Sequence, residues 1–256
     1  MKTNFKKRFG QNFLISSNWP QKLVELAEIS PQDTVFEIGA GAGALTRVLL
    51  EKAQLVIANE IDVSLLPKLK SKFTGRKNFH LLPGDFLQFD LNSLRVKKFK
   101  VVGSLPYNIS KKIINILLTK TPQPQSITVV VQKEVAEDYT AVLPKSTFLS
   151  NFVQIYSQVA YLATIPKEEF YPVPKVSGAI LHFKNIYERF PEAASLKAFI
   201  KQGFLTPRKT LVNNLKSLNN KNSLLNFLKE LQLKPTVRAS ELSLKDWYNL
   251  FTKMHS

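Results

Sequence analysis

Thr34-Val35-Phe36-Glu37-Ile38-Gly39-Ala40-Gly41-Ala42-Gly43-Ala44-Leu45-Thr46 is the stretch that decides the fold. Val35 to Ile38 have the apolar character of a short buried parallel strand. The run breaks at Gly39, Gly41 and Gly43, and Leu45, Val48, Leu49 and Leu50 then begin the stripe of a helix. Strand, glycine turn and helix make the first half of a doubly wound α/β nucleotide-binding unit. A residue without Cβ takes φ > 0 and lets a ligand lie against bare backbone. The spacing is E-x-G-x-G-x-G and not G-x-G-x-x-G, and no Lys-Ser/Thr follows to make a Walker loop. Such a turn suits a cofactor whose tail is an amino acid, and S-adenosylmethionine is the candidate. The plainer alternative is a turn that only lets the helix pack closely.

Downstream segments repeat the alternation. Leu55–Ala58 reads as a second strand ending in Asn59-Glu60-Ile61-Asp62. Glu60, 21 positions after Gly39, is placed to accept both hydroxyls of a ribose, whereas Asp62 suits a cap for the helix from Ser64. Phe79–Leu82 is a third strand, followed by Pro83-Gly84-Asp85-Phe86, where Asp85 can accept the exocyclic amine of a cofactor adenine with Phe86 beside the ring. A fourth strand from Lys100 runs into Ser104-Leu105-Pro106-Tyr107. Ser126–Gln132, Val159–Ile165 and Ala179–Phe183 complete seven strands.

Chemistry belongs outside the carboxyl ends of such strands. The exocyclic nitrogen of adenine is a poor nucleophile because its lone pair is delocalised into the ring. Two acceptors that hold its hydrogens favour a more tetrahedral nitrogen aimed at a sulfonium methyl. Ser104 and the carbonyl of Leu105 can supply them, with Pro106 fixing the backbone and Tyr107 stacking on an extruded base. An aromatic of Phe170-Tyr171-Pro172-Val173-Pro174 could close the far side of that pocket, core packing being equally consistent.

The totals narrow the partners. Lys and Arg number 36 against 19 acids among 256 residues, a net charge of +17, so a polyanion is expected and nucleic acid leads. There is no cysteine, which excludes disulfides and thiolate chemistry, and the three histidines are too scattered for a metal centre. No run is long enough for a membrane span, and Ser16-Ser17-Asn18 interrupts any signal-peptide core. A cytoplasmic protein without a metal centre is therefore expected; a monomer is expected too, though nothing in these totals decides it. In residues 1–14, Lys2, Lys6, Lys7 and Arg8 interleave with Phe5, Phe9 and Phe13, so the cations can neutralise phosphates while the rings stack on bases or anchor the segment to the domain; a solvated tail would explain the lysines but not Gly10-Gln11-Asn12-Phe13-Leu14. From Lys184 the pattern is helical, and 13 basic against 5 acidic residues leave +8 there. Arg208 and Lys209 lie at the centre of that cluster. Two domains are expected, 1–183 and 184–256, the second facing RNA.

Taken in order, Lys7–Leu14, Glu37–Thr46, Asn59–Asp62, Gly84-Asp85, Leu105–Ser110, Gln132–Val135, Pro172–Val176 and Arg208–Leu215 resemble the ribosomal-RNA adenine N6-dimethyltransferases. The likeness is nearest the KsgA-like branch that modifies small-subunit RNA. The resemblance implies a Rossmann-like seven-strand methyltransferase sheet with a small C-terminal all-helical domain. It also implies transfer of two methyls from S-adenosylmethionine to each of two adjacent adenosines near the 3′ end of small-subunit rRNA. Cofactor contacts would fall on Asn12, Leu14, Glu37, Gly39, Gly41, Glu60, Ile61, Asp85, Phe86 and Ser104. The target base would meet Ser104–Tyr107, with Phe170 as its second stacking face, and Lys6, Lys7, Arg8, Arg208 and Lys209 would hold RNA. The chain departs from the family at Ser104, where Asn is usual, and at Ser177-Gly178 in place of Asp-Ser. Pro207 replaces a basic residue, and Thr147-Phe148-Leu149-Ser150 replaces a Tyr-Gly-Arg-Leu-like segment. The related large-subunit methyltransferases of macrolide resistance, and a non-catalytic RNA-binding assembly factor, are the alternatives.

Overall fold

A computed structural model describes residues 13–14 and 18–255. Its elements run β1 (Phe13–Leu14), α1 (Asn18–Leu26), β2 (Thr34–Ile38), α2 (Ala44–Lys52), β3 (Leu55–Glu60), α3 (Leu66–Lys72) and β4 (Phe79–Pro83). Then come β5 (Lys100–Ser104), α4 (Ser110–Thr119), β6 (Ser126–Gln132), α5 (Lys133–Thr140), α6 (Phe148–Tyr156), β7 (Gln158–Ile165), β8 (Phe170–Tyr171) and β9 (Gly178–Lys184). Four further helices follow: α7 (Ala193–Gly203), α8 (Leu211–Leu215), α9 (Lys221–Glu230) and α10 (Leu244–His255). Among the described residues no helix is long and apolar enough to cross a membrane.

The chain divides into two compact units. The first holds the described residues through Ala136 with Ala160–Ile186, and the second holds Glu137–Val159 with the chain from Tyr187. The first is built on the expected seven-stranded sheet, in the order β4-β3-β2-β5-β6-β9-β7. β4, β3, β2, β5 and β6 are mutually parallel, and β9 runs antiparallel to β6. β2 and β6 are apolar and buried on both faces, as a sheet covered by helices on each side requires. The chain leaves β2 for β3 on one side and returns to β5 on the other, so β2 and β5 flank the point where the strand order reverses. Gly103 permits this pairing, because a Cβ there would lie 2.6 Å from the carbonyl oxygen of Ile38. Leu23, Val24, Leu49, Val56, Val102, Val130 and Ile180 are among the residues that fuse α1, α2 and the sheet into one core.

The second unit is helical, and the described residues from Tyr187 onward carry no strand. Trp247 of α10 stands edge-on to Phe199 of α7 at 5.9 Å, against Gly203, whose position leaves no room for a Cβ. This unit also takes in a segment that linear reading gave to the first domain. Phe152, Val153, Ile155 and Tyr156 form an apolar stripe on α6 that is buried in the second unit, where α6 packs on α7 and α10. Residue 183 is therefore not where the chain divides: the units part within α5, within β7 and after Ile186. The departing segment Thr147–Ser150 opens α6 as a capping box. The Thr147 hydroxyl accepts from the Ser150 amide at 3.0 Å, and the Ser150 hydroxyl accepts from the Thr147 amide at 3.0 Å.

Candidate active site

The carboxyl ends of β2, β3, β4 and β5 surround one cavity of about 1030 Å³, counting its open mouth. Its floor is the glycine turn. Gly39, Gly41 and Gly43 all adopt left-handed φ (+79°, +57° and +76°), a region that strains any other residue type. The turn is pinned to the next strand: the amides of Gly39 and Ala40 both donate to the Asn59 carbonyl at 3.0 Å. Gly41 donates to Glu60 Oε2 at 2.7 Å, and the Asp62 amide donates to Oε1 of the same carboxylate at 2.8 Å. Glu60 is 1% exposed and faces the cavity, and burial raises its affinity for a proton despite these two amides. On the outer side of the turn, Lys72 of α3 donates to the carbonyls of Ala42 and Gly43 at 2.9 and 3.3 Å.

Asn59 also sets the next wall. Its side-chain amide donates to the carbonyls of Leu82 and Gly84 at 3.1 and 2.9 Å, fixing the turn that presents Asp85. One oxygen of Asp85 accepts from the Leu87 amide at 2.9 Å, and the residue lines the cavity with Phe86, which packs on Phe36. As expected of a cap, Asp62 accepts from the amide and hydroxyl of Ser64 at 2.9 and 2.7 Å. The opposite wall is Ser104, Leu105 and Pro106. A Cβ on Gly39 would come within 3.6 Å of the Ser104 carbonyl oxygen, so turn and corner face one another directly. Phe13 and Leu14 of β1 form a further side, with Phe13 ring carbons 2.8–2.9 Å from where a Gly41 Cβ would stand.

The cavity thus gathers Leu14, Gly39, Gly41, Glu60, Ile61, Asp85, Phe86, Ser104, Leu105 and Pro106 of the residues named from sequence. Asn12, Lys6, Lys7 and Arg8 lie outside the described residues. Glu37 is not among the lining residues, contrary to expectation. It is fully buried behind the turn, where Oε2 accepts from the Thr46 hydroxyl at 2.7 Å and Oε1 has no hydrogen-bond partner. Burial pushes its carboxyl up to about 7, the neighbouring Glu60 charge adding to the rise and the Thr46 hydrogen bond opposing it. Asn59 and Phe13 are contributors that sequence reading left out of the site. Asn59 carried a signal, as a polar residue closing an apolar run.

Tyr107 and Phe170 come together, but not as an open slot. Their rings meet edge-on at 6.3 Å, and Phe170 is 0% exposed while its neighbour Tyr171 is 52% exposed. Phe170 therefore serves as core packing in this arrangement, and a base between the two rings requires one of them to move. Burial, with a contribution from the Glu134 charge, pushes the Tyr107 phenol up to about 12, so it stays neutral at physiological pH. In the second unit Arg208 and Lys209 are exposed on the loop 204–210. Buried Asn214 braces that loop by donating to the carbonyls of Gly203 and Thr206 at 2.6 and 3.1 Å.

The glycine turn, the Glu60 and Asp85 carboxylates and the Ser104–Pro106 corner thus share one cavity. The ribosomal RNA adenine dimethylase family profile matches residues 2–256. The chain belongs to that family. It is an adenine dimethyltransferase acting on ribosomal RNA, with S-adenosylmethionine as methyl donor. Among curated relatives, the ribosomal RNA small subunit methyltransferase A of Clostridium botulinum strain Langeland is 37% identical over 254 residues, covering 96% of this chain and 92% of that protein. The protein of the same name from Francisella tularensis subsp. novicida is 36% identical over 263 residues, covering 97% of each. The fold is shared with a dimethyladenosine transferase from Plasmodium falciparum (TM-score 0.81, 24% identity, 95% of this chain and 98% of that one). It is shared too with the 23S rRNA methyltransferase ErmE (TM-score 0.77, 24% identity, 96% and 100%).

Proposed function

We propose that this dimethyltransferase modifies N6 of two adjacent adenosines near the 3′ end of small-subunit rRNA, as a cytoplasmic monomer in ribosome biogenesis. The observation that carries the reading is the continuity of the cavity wall from Glu60 and Asp85, past the glycine turn, to Ser104–Pro106. Donor and acceptor then share one cleft. The small-subunit assignment draws on relatives at 36–37% identity that bear that name.

The residues present fit the donor. Three left-handed glycines leave backbone bare for its amino-acid tail, Glu60 offers a carboxylate for the ribose, and the second oxygen of Asp85 is available for the adenine amine. When bound, S-adenosylmethionine supplies an electrophilic sulfonium methyl. Ser104 Oγ and the Leu105 carbonyl accept the two hydrogens of the target amine and turn its lone pair toward that methyl. Pro106 holds the carbonyl in place, and Tyr107, neutral across the working pH range, offers a ring face and not a base. Catalysis is then mostly positioning. Phe13 and Leu14 close the cleft, and Arg208 and Lys209, with Lys6, Lys7 and Arg8, hold phosphates.

The test is single-turnover transfer of tritiated methyl to small and large ribosomal subunits that lack these methylations. Label confined to small-subunit rRNA is expected. Label in large-subunit rRNA would move the target, and no label in either would remove the activity.

A further inference from the structure

Chemistry in the cleft leaves one run of positive charge unexplained. Residues 63–80, from the turn after β3 through α3 into β4, hold Lys68, Lys70, Lys72, Arg76 and Lys77 and no acid. All five are exposed. A helix face that meets only water mixes the signs, because opposite charges four residues apart attract. Here Lys68 and Lys72 stand four apart on α3 with like charge, a destabilising pair. Arg47 of α2 adds to the crowding: burial first, and the Arg47 charge second, lower the affinity of Lys72 for its proton. Glu51 of α2 is engaged with Arg47 at 3.5 Å. Among the described residues none of the five cations is in an ion pair.

The run is also firmly held. Lys72 is tied to the carbonyls of Ala42 and Gly43 at the head of α2, and a Cβ on Gly43 would stand 2.8 Å from the Phe73 ring. Further on, the Asn78 side-chain amide donates to the carbonyls of Leu50 and Ala53 at the foot of the same helix, at 3.1 and 3.2 Å. The segment from Lys72 to Asn78 is therefore laid along the whole of α2, a length of about 13 Å. Arg76 and Lys77 lie between the two anchors. Cations fixed in this way lose less freedom on meeting an extended polyanion than lysines on a free tail.

Resting on the methyltransferase reading above, we infer that α3 and the turn after it form a further RNA surface, on the first unit, that takes backbone phosphates of the substrate rRNA away from the target nucleotide. The substrate is a polyanion far larger than the cleft, and this run is the complementary charge. It reads no sequence: Lys and Arg heads neutralise phosphates, and Phe73, the ring among them, is buried. The surface holds the particle at the outer side of the glycine turn and leaves the chemistry to the cleft.

The experiment compares wild type with a surface variant carrying Lys68→Gln, Lys70→Gln, Arg76→Gln and Lys77→Gln. A control variant, carrying Arg95→Gln, Lys97→Gln, Lys98→Gln and Lys120→Gln, loses the same charge from exposed residues that precede β5 and β6, at the amino ends of the strands. Lys72 is left intact because it holds the glycine turn. Binding to undermethylated small ribosomal subunits is measured across a series of KCl concentrations, with the dissociation constant for S-adenosylmethionine and methyl transfer at saturating subunits. Each lost phosphate contact flattens the slope of log K against log salt by about 0.7–0.9, so the surface variant should lower it by about 3. Its two halves, made separately, should each carry about 1.5 of that. The control should move the slope by less than about 1. Donor affinity and saturating transfer should stay within about twofold throughout, which reports that the variants are folded. An unchanged slope in the surface variant, or an equal loss in the control, overturns the inference. A wild-type protein that transfers no methyl to the subunits fails the parent reading instead, so the two failures are distinct.

Discussion

Replacing Glu37 by glutamine isolates the electrostatics behind the glycine turn. In the unfolded chain Glu37 ionises near its usual 4.5, whereas folded it keeps its proton to about 7, chiefly through burial. Stability contributed by the neutral form is whole below the lower value. It falls as pH rises through the window, because the unfolded chain sheds its proton first, and above about 7 it is gone. At about 1.4 kcal/mol per pH unit, this window amounts to about 3 kcal/mol. In Glu37→Gln the amide oxygen keeps the Thr46 hydrogen bond and the amide nitrogen takes the place of partnerless Oε1. Whatever that nitrogen costs, it does not vary with pH. Urea unfolding of both proteins between pH 4.5 and 8 should therefore show the wild type losing about 3 kcal/mol relative to the variant, with the difference level above pH 7. Because Glu37 lies outside the cavity lining, the variant should bind S-adenosylmethionine at pH 7.5 within about threefold of wild type, the energy of a small packing change. Parallel stability curves would refute the buried, protonated carboxyl, and loss of donor binding would refute its place behind the turn.

Other substitutions probe the cleft itself. Ser104→Ala removes one amine acceptor and should lower single-turnover methyl transfer about tenfold at unchanged melting temperature, while Ser104→Asn, which keeps an oxygen there, should match or exceed wild type. Equal rates for serine and alanine would end the assigned role. Glu60→Gln leaves either the Gly41 or the Asp62 amide facing an NH₂ group, so calorimetry should show donor affinity weakened by about ten- to hundredfold. Arg208→Glu with Lys209→Glu should weaken RNA binding and flatten the slope of log K against log salt by about 1.5; an unchanged slope would take these residues off the RNA.

Much of this fold is legible before any coordinates. Each strand of the large sheet is a short apolar run stopped by Gly, Pro, Asp or a polar corner, and the glycine turn marks the switch point by itself. Asp62 was readable as a cap from its spacing to Ser64. Glu37 was not readable in the same way. Its position before the turn suggests a ligand contact, but β2 is buried on both faces, so alternation gives no clue to where the side chain points. The pairing of β1 with β8 escapes sequence for a different reason, since two-residue strands are too short to show a period. Phe170 and Tyr171 are equally aromatic, and only the pleat decides that the first goes inward and the second outward. The attachment of α6 to the second unit is a long-range packing choice, made by an apolar stripe whose partners on α7 and α10 lie about fifty and about a hundred residues further on.

The central claim is that donor and target adenine meet in the cleft between the glycine turn and Ser104–Tyr107. A crystal structure of the protein with S-adenosylhomocysteine and a short single-stranded RNA tests it most directly. The account predicts the ribose on Glu60, the adenine amine on Asp85, and an RNA adenine whose N6 lies within hydrogen-bond distance of Ser104 Oγ and the Leu105 carbonyl. Cofactor density away from Gly39–Gly43, or an RNA base that never reaches this corner, would contradict it.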